Sequence, residues 1–251
     1  MTILGVHVPA AFSLLIWALI WEIVGQMEVV FIFPPFSGVL IALWQMIQEP
    51  FFHRAAIISL KAFSYGMAIA VSGGVALGVL MGRVPAADKL LGMWVNIFAS
   101  APLSSLVPVI MLLFGLGQTT IIVTVVLFAI WIITLDTRAG IMHVSPSLTE
   151  MADSFGARRW QLYTKILLFA ALPEILAGIR MGLIRAVKGV VIGQLLVSVI
   201  AFGRLFAIYS RNFHLEEFWA LALILFAFAL GLSALIGILE QKVEYYAGVR
   251  G

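Results

Sequence analysis

TTIIVTVVLFAIWIITLDTR, residues 119–138, is a mostly apolar run with no charged residue before Asp136, near its end. A helix needs roughly 20 such residues to cross the hydrocarbon core of a bilayer, and this run has that length. Further apolar runs lie near 10–31, 59–82, 91–114, 173–197 and 217–239. The sequence therefore predicts an all-α, polytopic membrane protein with about six transmembrane helices, in one membrane domain over residues 1–251.

The composition fits a chain surrounded by lipid. Of the 251 residues, 63% are hydrophobic and 11% are charged, whereas soluble domains are about half apolar and about a quarter charged. We interpret the net charge of +3 as positive loop residues that orient the spans, so no nucleic-acid partner is expected. The absence of cysteine excludes disulfide and thiolate chemistry. The run from Ala10 lacks the charged start of a signal peptide, which predicts a retained first span.

The loop charges predict the orientation of the chain. With both termini in the cytoplasm, positive residues favour the inner side by about two to one. The inner residues are Arg83, Lys89, Arg138, Arg158, Arg159, Lys165, Lys242 and Arg250, and the outer ones are Arg54, Lys61, Arg204 and Arg211. The stretch 32–58 is then an external loop with a short helix.

Two of the predicted spans have unusual residues. The second contains five glycines that would let a neighbouring helix approach closely: Gly66, Gly73, Gly74, Gly78 and Gly82. The third contains Pro102 and Pro108, which remove backbone hydrogen bonds. We therefore expect a kinked third helix that is buried by protein.

The segment 145–173, SPSLTEMADSFGARRWQLYTKILLFAALP, has the densest charge and lies inside the cell in this topology. Ser147 and Glu150 are spaced as a capping box, which predicts a helix from Leu148. Gly156 suits the left-handed position that ends such a helix, and a second helix would run from about Arg158 into Leu168.

Met151 and Phe155 are four residues apart and share one face of the first short helix. A capped helix with such a face fits the groove of a partner protein. The alternative is an interfacial connector that lies on lipid headgroups.

This segment resembles the EAA loop of ABC importer permeases, whose pattern is Glu-Ala-Ala, three residues, Gly, nine residues and Ile-x-Leu-Pro. The chain has Glu150-Met151-Ala152, Gly156, Ile166 and Leu168, with Met151 in place of an alanine and Phe169 in place of the proline. The following Ala171-Leu172-Pro173 looks like the nitrate/sulfonate/taurine subfamily. Other matching stretches are Trp21-Glu22, Phe33-Pro34, Pro102, Pro108 with Phe114-Gly115-Leu116-Gly117, and Gly156-Ala157-Arg158-Arg159-Trp160-Gln161-Leu162.

The resemblance implies a type I importer permease in a bacterial inner membrane. It implies two ABC ATPase subunits, a second permease copy (identical or a paralogue) and an external solute-binding protein as partners. The loop at about 145–170 would couple to the ATPase through Ser147, Glu150, Met151, Ala152, Phe155, Gly156 and Arg158. The implied solutes are small anions: nitrate, sulfonates, taurine, or aromatic and other organic acids.

The chain has no G-x-x-x-x-G-K-[ST] motif, so ATP and Mg are expected on the partner subunit, and the chain itself is predicted to be a transport subunit without enzymatic activity or cofactor. His7, His53, His143 and His214 are scattered, and no metal site is predicted. One alternative is a secondary transporter or channel, which would be expected to show an internal repeat with paired broken helices. Another is a membrane-embedded enzyme, which needs a cluster of acid, base or metal ligands.

The fifth span carries Arg180, Arg185 and Lys188, which fall within an arc of about 140° on a helix. Lys188 lies about 22 Å beyond Pro173, too deep to reach the inner surface. Family members often have an aromatic residue at position 188 and Glu at position 194. We therefore predict an anion pathway, and its expected residues are Lys188, Gln194, Arg185, Ser104 and Ser105.

A structural role is the alternative for each of these groups. The basic residues could pair with Glu174, Asp136 or Glu22. The two serines could bond the backbone carbonyls that the prolines leave free. Glu22 in the first span is predicted to be the buried partner of an arginine in the fifth.

Overall fold

The computed structural model describes residues 2–3, 6–7, 10–28, 31–197 and 200–246. Residues 29–30 of the predicted first span and the last residues, 247–251, lie outside this description. Near the start, the two-residue strands β1 (Thr2–Ile3) and β2 (Val6–His7) pair antiparallel. The rest of the described chain is helices and their connections, so the all-α prediction is confirmed.

Most of the described chain lies in helices of very different length. In chain order these are α1 (Ala10–Gln26), α2 (Phe36–Gln48), α3 (Pro50–Arg83), α4 (Pro85–Ser100), α5 (Val107–Phe114), α6 (Gln118–His143), α7 (Pro146–Ser154), α8 (Arg159–Gln161), α9 (Leu168–Ala170), α10 (Leu172–Val197), α11 (Ala201–Arg211) and α12 (Leu215–Tyr246). A 3₁₀ turn (Leu103–Leu106) precedes α5, and a π-helical turn (Leu162–Leu167) joins α8 to α9.

Helix α6 is the centre of the packing, with α3 and α10 against it. One apolar core joins the three helices, with Met67 from α3, Ala129 from α6 and Ala186 from α10 among its buried residues. A Cβ atom added at Gly66 of α3 would lie 2.6 Å from the Cβ of Val125 in α6. The close approach predicted from the glycines of the second span is therefore confirmed.

Two features between the predicted spans differ from the sequence prediction. The stretch 32–58 was expected to be a loop with a short helix, but α3 begins at Pro50. Proline is favoured in the first turn of a helix, where its missing N–H is not needed, so Pro50 starts a helix here. Helix α11 was not predicted. Its buried Phe202, Leu205 and Phe206 follow helical spacing and pack against the core between α2, α3 and α12.

The predicted third span is broken rather than continuous. Helix α4 and the segment Leu103–Phe114 meet at an angle of 95°, because the chain is extended at Ala101 before Pro102. The kink is confirmed. The expected burial by protein is wrong for this chain by itself, since Leu112 is 87% exposed and Leu113 is 73% exposed.

Two helices of the described chain, α3 and α6, are each long and apolar enough to cross a membrane. Two bent pairs raise this number to four if each pair is one crossing: α4 with Leu103–Phe114, and Arg159–Ala170 with α10. Helices α1 (from Phe12) and α2 are apolar but shorter. The structure thus supports several membrane crossings by length and composition. Four of the six predicted spans correspond to these candidates, in α3, α4–α5, α6 and α10, and the sixth, 217–239, lies within α12.

Candidate functional site

Helix α7 is a short helix that is closed at its C-terminus by hydrogen bonds to its own backbone. The N–H of Ala157 donates to the carbonyl of Ala152 (3.0 Å), and the N–H of Gly156 donates to that of Asp153 (2.9 Å). These two bonds form a Schellman motif, which requires a left-handed residue. Gly156 has φ of +71°, so the helix end predicted at Gly156 is confirmed.

The start of α7 differs from the prediction. The helix begins at Pro146 and not at Leu148, and Ser147 caps no backbone N–H. The hydroxyl of Ser147 instead bonds that of Ser145, at 2.7 Å. The fixed φ of Pro146 at the first helical position is sufficient to start the helix, and the predicted capping box of Ser147 with Glu150 is wrong.

The two faces of α7 have opposite surroundings. Ala152 is 2% exposed, and α7 contacts the π-helical turn, where Leu167 is fully buried. On the outward face, Met151 is 46% exposed and Phe155 is 85% exposed. Exposed apolar groups on an anchored helix are typical of a protein interaction surface. We call Met151 and Phe155 the apolar face of α7.

The second helix of the loop begins at Arg159, with Arg158 as its N-cap residue, which agrees with the predicted start at about Arg158. The backbone N–H of Arg158 donates to the side-chain amide oxygen of Gln161, at 2.9 Å. The segment Arg159–Ala170 meets α10 at 66°. Phe169 takes the place of the motif's proline and is exposed, and the bend lies at Ala171, with Pro173 in the first turn of α10.

Two of the basic residues of α10, Arg185 and Lys188, have different surroundings. Arg185 donates to the backbone carbonyl of Ala99 at 3.2 Å and attracts the carboxylate of Asp136 in α6. Lys188 lies on the α11 and α12 side of the helix. Arg185 therefore has the structural role that was the alternative to a pathway, because it interacts with Asp136. Lys188, in contrast, is exposed and has no hydrogen-bond or ion-pair partner among the described residues.

Three other polar residues of the predicted pathway have structural contacts or lie on the surface. Gln194 is 1% exposed, and its amide nitrogen donates to the hydroxyl of Ser59 at 2.8 Å. Ser105 donates to the carbonyl of Pro102 at 2.8 Å, as the alternative prediction states. Ser104 is exposed beside this bond. In this conformation, Gln194 is a contact between helices and does not face open space.

Among the described residues Glu22 contacts no arginine, so its predicted pairing with one in the fifth span is wrong. Its carboxylate accepts bonds from the backbone N–H and the hydroxyl of Ser37, both at 2.8 Å, and from the amide of Gln26 at 2.9 Å. Glu22 therefore caps the N-terminus of α2, where free N–H groups attract a negative charge.

A contact that sequence reasoning missed joins α4 to α6. The guanidinium of Arg138 forms a two-bond ion pair with the carboxylate of Asp88, and one of these bonds measures 2.7 Å. The sequence did contain a signal for this ion pair: Asp88 lies just before the predicted third span, and Arg138, of opposite charge, lies at the end of the fourth. The described residues contain no group of three or more side chains that could hold a metal ion.

Among known proteins, the chain is similar to several transport permeases. The taurine transport system permease protein TauC of Escherichia coli K12 is 30% identical over 203 residues, which cover 77% of this chain and 68% of that protein. The carnitine transport permease protein OpuCD of Listeria monocytogenes is 33% identical over 134 residues, which cover 52% of this chain and 58% of that protein. The chain thus matches little more than half the length of some of these relatives.

The fold is also found among solved transporters. An inward-facing structure of the MetNI methionine ABC transporter contains a chain that aligns with a TM-score of 0.58. The alignment covers 81% of this chain and 96% of that chain at 21% identity, so the likeness concerns the fold. The family model of the binding-protein-dependent transport system inner membrane component matches residues 74–245. This match includes α6, the EAA-like loop and α10, and the chain belongs to that family of inner-membrane transport components.

Proposed function

We propose that this chain is the membrane-spanning subunit of an ATP-driven importer for a small anionic solute. Two ATPase subunits, which carry ATP and Mg, bind the loop at about 145–170 from the cytoplasm. A second permease copy, identical or paralogous, completes the pathway, and an external solute-binding protein delivers the solute. Residues 1–251 act as one membrane domain with both termini in the cytoplasm.

The observation that carries this proposal is the construction of α7. The helix is anchored through Ala152, closed by the Gly156 turn, and presents Met151 and Phe155 outward. It connects to α10 through one continuous helical segment with a single bend of 66°. A displacement of α7 by a partner is therefore transmitted to α10 through packed helices. For the coupling to drive transport, the nucleotide states of the partner must bind the two conformations with different affinity.

The preference for an anion rests on Lys188. An unpaired ammonium deep in a membrane protein is costly unless it serves a pathway or a ligand. The relatives are named for taurine and carnitine, which are zwitterions, so only the acidic end of such a solute would meet Lys188. Arg185 adds positive charge one turn away on α10, although Asp136 balances part of it.

Co-purification tests the proposal. A tagged full chain should bring down an ATPase subunit from membranes. We expect Phe155→Ala to reduce the amount retained by about tenfold, because a central aromatic side chain of an interface contributes about 1–2 kcal/mol or more. Phe213→Ala is the matched control. Phe213 is 66% exposed at the turn between α11 and α12, which the proposed topology places on the outer side.

Two results would contradict the proposal. In one, the tagged chain is purified intact and moves solute without any ATPase. In the other, Phe213→Ala releases the ATPase as strongly as Phe155→Ala, which would show that the apolar face of α7 has no special role.

A further inference from the structure

Helix α4 lies along one face of α6. At the start of α4, the guanidinium of Arg138 donates two hydrogen bonds to the carboxylate of Asp88. Near the end of α4, the ring of Phe98 stacks on the indole of Trp131, with 4.8 Å between the ring centroids and 13° between the planes. Trp131 and Arg138 are seven residues apart, which places them two turns from each other on the same face of α6.

The end of α4 is also joined to α10, through the bond that the carbonyl of Ala99 accepts from Arg185. Two residues later the chain is extended at Ala101, where α4 and the segment Leu103–Phe114 meet at 95°. The bend of the broken third span therefore follows directly after the contacts that fasten α4.

Helix α4 has little packing besides these contacts. Of its residues, all of which the structure describes, only Val95 is buried. Helix α3, by contrast, has buried residues along most of its length and approaches α6 closely at its glycines. A helix with few buried side chains is held weakly by packing, so its position depends strongly on individual contacts such as the ion pair.

The ion pair lies close to the loop that carries α7. Arg138 is five residues, about 8 Å along the helix axis, before the last residue of α6, His143, and α7 begins at Pro146. The side chains of Arg138 and Asp88 are 30% and 24% exposed, so they are partly shielded from solvent. A two-bond pair fixes the orientation of its partners as well as their distance. A displacement of the end of α6 is therefore passed to the start of α4.

One buried donor at the contact between α4 and α6 has no partner. The indole N–H of Trp131 is buried and meets no acceptor among the described residues. An unpaired buried donor costs free energy. This cost favours a second arrangement of α4 in which the indole N–H gains an acceptor.

We propose that Asp88 and Arg138 are positioning residues for transport. Their ion pair makes α4 follow the end of α6, so a displacement of α7 by the ATPase changes the bend at Ala101 and moves α5. This inference rests on the proposed function and adds a second route, through α4, to the route through α10. Ser104 and Ser105, which the sequence predicts to line the pathway, lie directly after the bend and move with it.

The test uses the full chain, purified with its associated ATPase, and a fluorescent maleimide on a single introduced cysteine, since the parent has none. Leu112→Cys reports on α5 and Met181→Cys on α10, and both parent side chains are exposed. We expect the fluorescence at both positions to differ between ATP with Mg and ADP. Asp88→Ala should reduce this difference about tenfold at position 112 and preserve it at position 181, because the loss of a charge-assisted bond shifts an equilibrium by about that factor.

Three further variants separate positioning from a general loss of structure. Arg138→Lys keeps the charge but not the two-bond geometry, and should give an intermediate difference at position 112. The exchanged pair, Asp88→Arg with Arg138→Asp, should restore most of the difference. Glu217→Ala is the matched control, because it removes a contact with His214 on the proposed outer side and should leave both positions unchanged. The amount of retained ATPase should be the same in all variants, since none of them alters α7.

Three results would overturn this inference while the ATPase is retained. In the first, Asp88→Ala responds like the parent at position 112. In the second, it loses the response at positions 112 and 181 together, which would show a general disturbance of the fold. In the third, the parent responds at position 181 and not at position 112, so α4 is not a route. If no ATPase accompanies the parent chain, the proposed function itself fails.

Discussion

At Gly78 the backbones of α3 and α6 come closer than any side chain allows. A Cβ atom at this position would lie 2.5 Å from the Cβ of Thr137 and 2.7 Å from the carbonyl oxygen of Thr134. Neither atom is the end of a flexible side chain, so a substitution must push the two helices apart. We expect Gly78→Ala to destabilise the protein by about 1–3 kcal/mol, measured as a lower unfolding temperature in detergent.

Gly92→Ala is the matched control for this substitution. Gly92 is also inside a helix, but the nearest atoms to its added Cβ lie 3.8 Å and 4.0 Å away. Both changes improve the helix propensity by about 1 kcal/mol. A stable Gly92→Ala beside an unstable Gly78→Ala therefore isolates packing as the cause. Equal behaviour of the two variants would show that the close approach of α3 and α6 is not a constraint on this residue.

At the scale of single helices, the prediction from sequence succeeded where a signal is local and failed where it depends on distant contacts. The apolar runs predicted α3, α6 and α10, and the prolines predicted the break before α5. The capping role of Glu22 depends on Ser37, 15 residues away, and no sequence pattern reports that contact. Two local signals also conflict at the start of α7. The capping box of Ser147 and Glu150 predicted a start at Leu148, whereas Pro146 starts the helix two residues earlier.

Helix α11 was missed for a different reason. Its apolar residues Phe202, Leu205 and Phe206 show helical spacing, so the signal was present. The eleven-residue helix is too short and too polar for a search that looks for membrane spans. The positions of Lys188 and Arg185 show the same limit, because helical angles place them 60° apart but only the neighbouring helices decide what each one contacts.

The turn at Gly156 allows a second test, at the scale of one helix end. No atom lies within 4 Å of the position of an added Cβ, so the backbone is the constraint, with φ of +71°. Gly156→Ala should cost about 1–2 kcal/mol, and Gly156→Asn less, because asparagine tolerates the left-handed region. Gly156→Val should cost most, since β-branched residues are rarely found there.

Two measurements compare the parent with the three Gly156 variants. Amide hydrogen exchange in α7 reports the stability of the helix end, and the amount of retained ATPase reports its docking. Both should fall in the order Gly, Asn, Ala, Val. If exchange stays constant while ATPase retention falls with side-chain size, position 156 would be a contact with the partner instead of a helix cap.

At the scale of the whole molecule, large apolar side chains are exposed on several helices, including Leu14, Trp44 and Leu112. Lipid and a second permease copy are the surroundings that would cover them in the proposed assembly. The ion pair of Asp88 with Arg138 adds a constraint on this arrangement. Arg138 lies in the last turns of α6, directly before α7, so the turn between α3 and α4 lies on the same side of the membrane as α7.

The absence of cysteine makes this sidedness directly measurable. Ala86 is exposed in the first turn of α4, near Asp88, and Asn212 is exposed between α11 and α12. With α7 in the cytoplasm, a membrane-impermeant maleimide added to intact cells should label Asn212→Cys and spare Ala86→Cys. Inverted vesicles should reverse the pattern, and the cysteine-free parent supplies the background. Labelling of Ala86→Cys from outside would place α7 on the outer face, where no ATPase can reach it, because the ion pair of Asp88 with Arg138 holds both segments at one surface.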